Sequence, residues 1–143
     1  MTWRFGLVAL VLLSVLGLTA CGSSKKSGPP TPTIVDFRNE KKVAVDAKNN
    51  QFSPPEIEIV PGTTVTWTNR DAVSHNIQKF VDTADFGAPF GVQAGAFGPG
   101  ATYSFTFKKL GVFRYTCTIH TLMDGTVHVV AARAAAATTS STG

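Results

Sequence analysis

The sequence predicts an all-β sandwich or barrel of about seven or eight strands, and three observations predict it. Between about residues 38 and 131, apolar and polar residues alternate with a period of two. Ile57 and Ile59 alternate with Glu56 and Glu58, Val65 and Trp67 with Thr64, Thr66 and Thr68, and Tyr103, Phe105 and Phe107 with Thr102, Ser104 and Thr106. Such alternation of β-branched and aromatic residues marks strands with one face in a core and one in water. Turn-forming residues punctuate the runs, notably Pro61-Gly62, Pro99-Gly100 and Gly111, because proline and glycine supply the backbone angles that reverse a chain. The third observation is negative: nothing in this region repeats at the spacing of an amphipathic helix.

The chain of 143 residues begins with Met1 to Arg4 and then an unbroken apolar run over residues 5–18. A charged start, an apolar stretch short for a bilayer span and small residues after it form a signal-peptide pattern, assigned to residues 1–20. The run closes on Leu18-Thr19-Ala20-Cys21, which resembles the lipobox of bacterial lipoproteins. The resemblance implies cleavage before Cys21, lipidation of its thiol and anchorage at the outer face of a membrane, where two or three acyl chains hold stably and one does not. Residues 21–37 follow as the lipidated cysteine and a flexible tether, of which Gly22 to about Thr33 is mostly Ser, Lys, Gly and Pro, too poor in apolar groups to fold. Residues 38–131 form one domain, and the Ala, Thr and Ser of residues 132–143 form a disordered tail, its alanine run being marginal as an isolated helix.

Charge excludes one class of partner. The formal net charge is +4, one unit of which leaves with Arg4, and the lysines occur as scattered residues or as the pairs Lys25-Lys26, Lys41-Lys42 and Lys108-Lys109. No aromatic residues interleave them as nucleic-acid surfaces require. Lys25-Lys26 lies beside the proposed anchor, where it adds attraction to anionic headgroups. Residues 80–98 break the alternation, with Phe86, Phe90 and Phe97 set among Gly, Ala and Pro. They are expected to be a long connection whose phenylalanines tuck against the sandwich, with room for an apolar surface near one pole.

Chemistry concentrates in Cys117-Thr-Ile-His120-Thr-Leu-Met123. Phe113 and Tyr115 alternate ahead of Cys117, so the thiol projects inward at a strand end and the chain turns directly after it. Thiolate, imidazole and thioether on one short loop are a soft donor set that suits copper better than zinc, magnesium or calcium. An inert buried cysteine and a gap-filling methionine are the bland alternative. Against it, Met123 is the one methionine beyond Met1, and Cys117 the one cysteine beyond Cys21. A second histidine completes a His2Cys plane with an axial Met, and His75 and His128 are the candidates. His128 lies between Val127 and Val129, so its side chain points away from the core face, whereas His75 follows a strand and a short loop. Parity favours His75.

These residues, with Phe52 to Asn69, His75-Asn76, Pro99 to Phe107 and Gly111 to Val129, resemble the cupredoxins, specifically the plastocyanin and amicyanin group. The two-residue gap between His120 and Met123 is closer to the amicyanin pattern. The resemblance implies a Greek-key β-sandwich holding one copper ion, Cu(I) or Cu(II), with His75, Cys117, His120 and Met123 as its four ligands. It implies that Asn76 steadies the site and helps place an amide donor on the Cys117 sulfur, with Thr118 bracing the other side. It further implies a one-electron carrier and not an enzyme, likened to a monomer that meets redox partner proteins transiently at an apolar patch near His120. Ile119, Leu122 and the phenylalanines Phe86, Phe90 or Phe97 are the candidates for that patch. Copper storage or delivery, and a metal-free structural sandwich, are the competing functions.

Overall fold

The computed structural model describes residues 33–81 and 85–133. The signal segment 1–20, Cys21, most of the tether and tail residues 134–143 lie outside the described residues.

Among the described residues, nine strands make two facing sheets. The larger sheet contains β1 (Val35–Asp36), β4 (Glu56–Ile59), β9 (Asp124–Val129), β8 (Gly111–Thr116) and β6 (Gln78–Lys79), in that spatial order. The smaller contains β3 (Gln51–Ser53), β2 (Lys42–Lys48), β5 (Thr64–Asn69) and β7 (Thr102–Thr106). Strands distant in sequence lie side by side: β2 runs parallel to β5 and β4 parallel to β9. The chain therefore passes repeatedly between sheets, which makes a Greek-key sandwich and agrees with the fold class read from the sequence.

The count exceeds the expected seven or eight because β1 and β6 have two residues each, too short to display a period. β1 falls inside the stretch assigned to the tether, before residue 38, and pairs in parallel with β4 at Val35↔Ile57. A 3-10 turn at Ala94–Ala96 is the one helical element among the described residues.

Alternation places Val43, Val45, Ala47, Val65 and Trp67 from the small sheet against Ile57, Ile59, Phe113, Tyr115, Val127 and Val129 from the large one, all buried. Trp67 is fully buried, and its ring meets Tyr115 edge-on at 5.3 Å between centroids. Phe52 meets the same tyrosine edge-on at 4.8 Å. Edge-to-face rings set the negative face of one ring against the positive rim of the other, which adds to the gain from burying their area.

Residues 80–98 supply part of this core. Phe86 and Phe97 are buried, and Phe90 stacks on Phe86 at 4.0 Å while packing edge-on against Phe105 and Trp67. Ile77 and Val92 bond each other's backbones, and Gly91 sits where a Cβ would strike the Ile77 carbonyl, with φ +118. The connection is thus the tucked segment expected, and its phenylalanines do not form an exposed patch.

Gly125 stands opposite Tyr115 in the β8–β9 ladder, and a Cβ there would enter the tyrosine ring. Gly125→Ala is expected to lower stability by about 1–3 kcal/mol through overpacking, read as a fall in the urea midpoint with an unchanged slope.

Candidate metal centre

One end of the sandwich carries the candidate ligands, and backbone pairing brings them there. β8 delivers Phe113, Tyr115 and then Cys117 inward on alternate positions, all buried. The Cys117 amide donates to the Met123 carbonyl at 2.8 Å, one rung beyond the Thr116↔Asp124 pair. The loop from Cys117 to Met123 is therefore closed by the ladder itself. Leu122 adopts φ +61, the left-handed conformation that reverses the chain and returns Met123 to the interior, where it is fully buried.

His75 arrives from the other sheet by way of the loop after β5. Its ring is fully buried, and its amide donates to the Phe97 carbonyl at 3.1 Å. Asn69, also buried, organises that loop. Its Nδ2 donates to the Val73 and Phe97 carbonyls at 2.8 and 2.9 Å, and its Oδ1 accepts the Asp71 amide at 2.9 Å.

The three polar donors meet. Nδ1 of His75 and Nδ1 of His120 are 3.0 Å apart, and Cys117 Sγ lies 3.8 Å from the first and 3.6 Å from the second. Metal–nitrogen bonds of about 2 Å and metal–sulfur bonds of about 2.3 Å around one ion put ligand atoms roughly 3–4 Å apart. The donor set and its spacing thus fit a single soft or borderline ion. Among the described residues, this trio is the group of His, Cys and acidic side chains arranged to hold a metal, with ligand atoms all within 4.8 Å of one another.

Two polar contacts fix the ligands. Asn76 Nδ2 donates to Thr118 Oγ1 at 2.8 Å, and the Thr118 amide donates back to Asn76 Oδ1 at 2.8 Å. This reciprocal pair locks the residue after His75 to the residue after Cys117, which joins the two ligand-bearing loops. The second contact was not read from the sequence. Asp71 Oδ2 lies 2.9 Å from His75 Nε2. A carboxylate there accepts the Nε2 proton and leaves Nδ1 with a free lone pair aimed at the other donors.

Asp71 is itself held by a distant turn. The β2–β3 hairpin closes on Asn49 and Asn50, with φ of 56 and 55, the left-handed pair of a tight two-residue hairpin loop. Their amides donate to Asp71 Oδ1 and Oδ2 at 2.7 and 3.0 Å. The Asn50 amide foremost, then the Asn49 amide and His75, hold the Asp71 carboxyl below the usual carboxylate range, against the opposing effect of burial. The spacing Asp71-x-x-x-His75 was visible, but a loop imposes no face on residues four apart.

His128 lies on the outer face of β9, 3.3 Å from Glu56 Oε2, and is not part of the cluster. His120 is half-buried beside Ile119 and Leu122, whose relative exposures are 49% and 91%. Those two residues supply the apolar rim expected there. Phe86 and Phe97 do not, because both are buried in the core, and Phe90 packs with them. Cys21 lies outside the described residues.

Comparison with known proteins gives a consistent set. The family described as copper binding proteins, plastocyanin/azurin family, matches residues 39–130. Amicyanin from Paracoccus denitrificans is 31% identical over 127 residues, covering 85% of this chain and 92% of the relative. The solved structure of the reduced state of an amicyanin mutant matches at 34% identity with a TM-score of 0.53, covering 62% of this chain and 82% of that one. A Cu-containing nitrite reductase from Thermus scotoductus matches at 31% identity and a TM-score of 0.56, covering 62% of this chain and 22% of the enzyme.

Asp71→Asn keeps the shape but offers Nε2 an ambiguous amide in place of a carboxylate. Metal affinity is expected to fall about 10–100-fold, measured by competition with a chelator, while the urea midpoint of the metal-free protein moves much less.

Proposed function

This chain belongs to the plastocyanin/azurin family of copper-binding proteins, and from that premise we propose that His75, Cys117, His120 and Met123 hold one copper ion in a type 1 site that carries single electrons. The observation that carries the assignment is the convergence of the His75, Cys117 and His120 donor atoms within 4.8 Å. Met123 joins them by its burial at the far end of the same loop and by the soft donor chemistry of its thioether. Copper bound there supplies a one-electron couple.

The chain's own residues supply the rest. Asp71 holds the His75 ring, the Asn76–Thr118 pair holds the two loops, and the β8–β9 ladder holds both ends of the third. A site fixed on so many sides undergoes little rearrangement when its charge changes by one. His120, half-buried between exposed Ile119 and Leu122, offers an edge through which an electron reaches a partner. A small apolar contact of this kind suits brief docking with redox partner proteins.

Burial of Cys117 and His75 favours retention of the ion over delivery, which weighs against copper storage or transfer. The match to nitrite reductase covers 22% of that enzyme, so the likeness concerns one of its parts and does not argue for catalysis here. For location, the lipobox at Cys21 supports export and lipid attachment at the outer face of the cytoplasmic membrane. No helix among the described residues is long and apolar enough to cross a membrane.

Absorption and EPR spectra of the Cu(II)-loaded protein test the site, and a redox titration that fits one electron per chain tests the function. Cys117→Ala is expected to abolish the intense thiolate-to-copper band, whereas His128→Ala leaves it in place. Loss of the band in the second variant would move the assignment away from His75. Cys21→Ser is expected to shift the protein from the membrane fraction to the soluble extracytoplasmic fraction. Unchanged membrane association would exclude the lipid anchor.

A further inference from the structure

The end of the sandwich remote from the metal centre differs sharply in charge from the end that bears it. Three turns meet at the remote end. The Thr64 amide donates to the Lys41 carbonyl at 3.0 Å, Thr63 Oγ1 to the Glu40 carbonyl at 3.0 Å, and the Gly62 amide to the Phe107 carbonyl at 2.7 Å. These bonds place Lys41 and Lys42 next to the turn that carries Lys108, Lys109 and Leu110, all exposed. Lys109 is paired with Asp85 at 2.9 Å, and Glu40 is the acid on the same turns. Lys41, Lys42 and Lys108 have no acidic partner among the described residues. Leu110 stands among them 60% exposed.

The metal end is close to neutral. Lys48, Lys79 and Asp124 are exposed on that side, Arg70 is paired with Asp46 at 3.1 Å, and Asp71 is turned onto His75. The two ends of the sandwich therefore differ, one cationic and the other closer to neutral with exposed apolar residues.

We propose that the pole formed by Lys41, Lys42, Lys108 and Leu110 docks on a membrane rich in anionic phospholipid, turning the His120 edge away from the lipid and toward soluble partners. The chemistry of the surface selects this occupant. Ammonium groups on flexible stems act as point charges without the planar, bidentate geometry that recognises one carboxylate on a protein. A fluid layer of phosphate headgroups meets such charges wherever they lie, and an exposed leucine between them enters the boundary of the acyl region. Chain length agrees. From Cys21 to Val35 the tether spans at most about 50 Å when extended, enough to let either pole approach the bilayer, so covalent attachment alone sets no orientation and charge decides it.

This inference deepens the proposed anchoring at Cys21, and one experiment separates the two. Full-length protein is footprinted with a water-soluble amine-acylating reagent at saturating vesicle concentration, in phosphatidylcholine alone or mixed with phosphatidylglycerol. Lys41, Lys42 and Lys108 are expected to react at least about threefold more slowly on the anionic vesicles, with Lys48 unchanged. High salt should remove the difference, since the attraction acts within a Debye length of about 8 Å at physiological ionic strength. The exposed charge-reversal pair Lys41→Glu and Lys108→Glu should abolish protection of the remaining Lys42 while keeping the copper spectrum. Equal rates on both vesicles, or protection centred on Lys48, would overturn the proposal. So would salt-sensitive capture of an acidic protein by this pole with no vesicle protection. The mass at Cys21 reports acylation independently, so an absent anchor and an undocked pole give different results.

Discussion

A single backbone hydrogen bond, from the Cys117 amide to the Met123 carbonyl, fixes the most demanding part of the molecule. It is the last rung of the β8–β9 ladder, and it requires that the seven residues from Cys117 to Met123 leave the sheet and return to it at one defined pair. Two ligand candidates are thereby set at the ends of one loop, with His120 between them. Because strand parity is fixed by Phe113 and Tyr115 pressing into the core, a slip by one residue would turn the thiol to solvent and the rings with it. The core and the metal centre are thus stabilised by the same register.

The opposite wall depends on a longer chain of contacts. His75 is placed by a loop that Asn69 ties to Phe97, and its ring is aimed by Asp71, which in turn rests on the amides of Asn49 and Asn50. Each link is a charge-assisted or buried bond, and such bonds are the costly ones to leave unmade. The Asn76–Thr118 pair joins this wall to the first. The site is consequently a junction of two halves, each stabilised by its own hydrogen bonds.

What the sequence revealed follows from how local each feature is. Cys117, His120 and Met123 share one short window, so their spacing carried the chemistry directly. His75 required parity to prefer it over His128, and the outward placement of His128 against Glu56 agrees with that argument. Asp71 escaped because its role depends on a hairpin turn some twenty residues away that no spacing rule connects to it. Strands β1 and β6 escaped for want of length. The phenylalanines of residues 80–98 were legible as core-seeking, but their suggested share in a surface patch was not sustained: Phe86 packs at 4.9 Å from Phe113, deep between the sheets. Composition tells that a ring seeks burial and does not tell which cavity receives it.

The closure of the Cys117–Met123 loop at its two ends has an evolutionary consequence. Ile119, Thr121 and Leu122 take part in no rung of the ladder, and all three side chains are exposed. Substitutions at Ile119 and Thr121 can accumulate without disturbing register or core, whereas Leu122, at φ +61, admits only residues that tolerate the left-handed conformation. A lineage bearing this scaffold can therefore vary the surface that covers the candidate metal centre, while the residues beneath it are inherited unchanged.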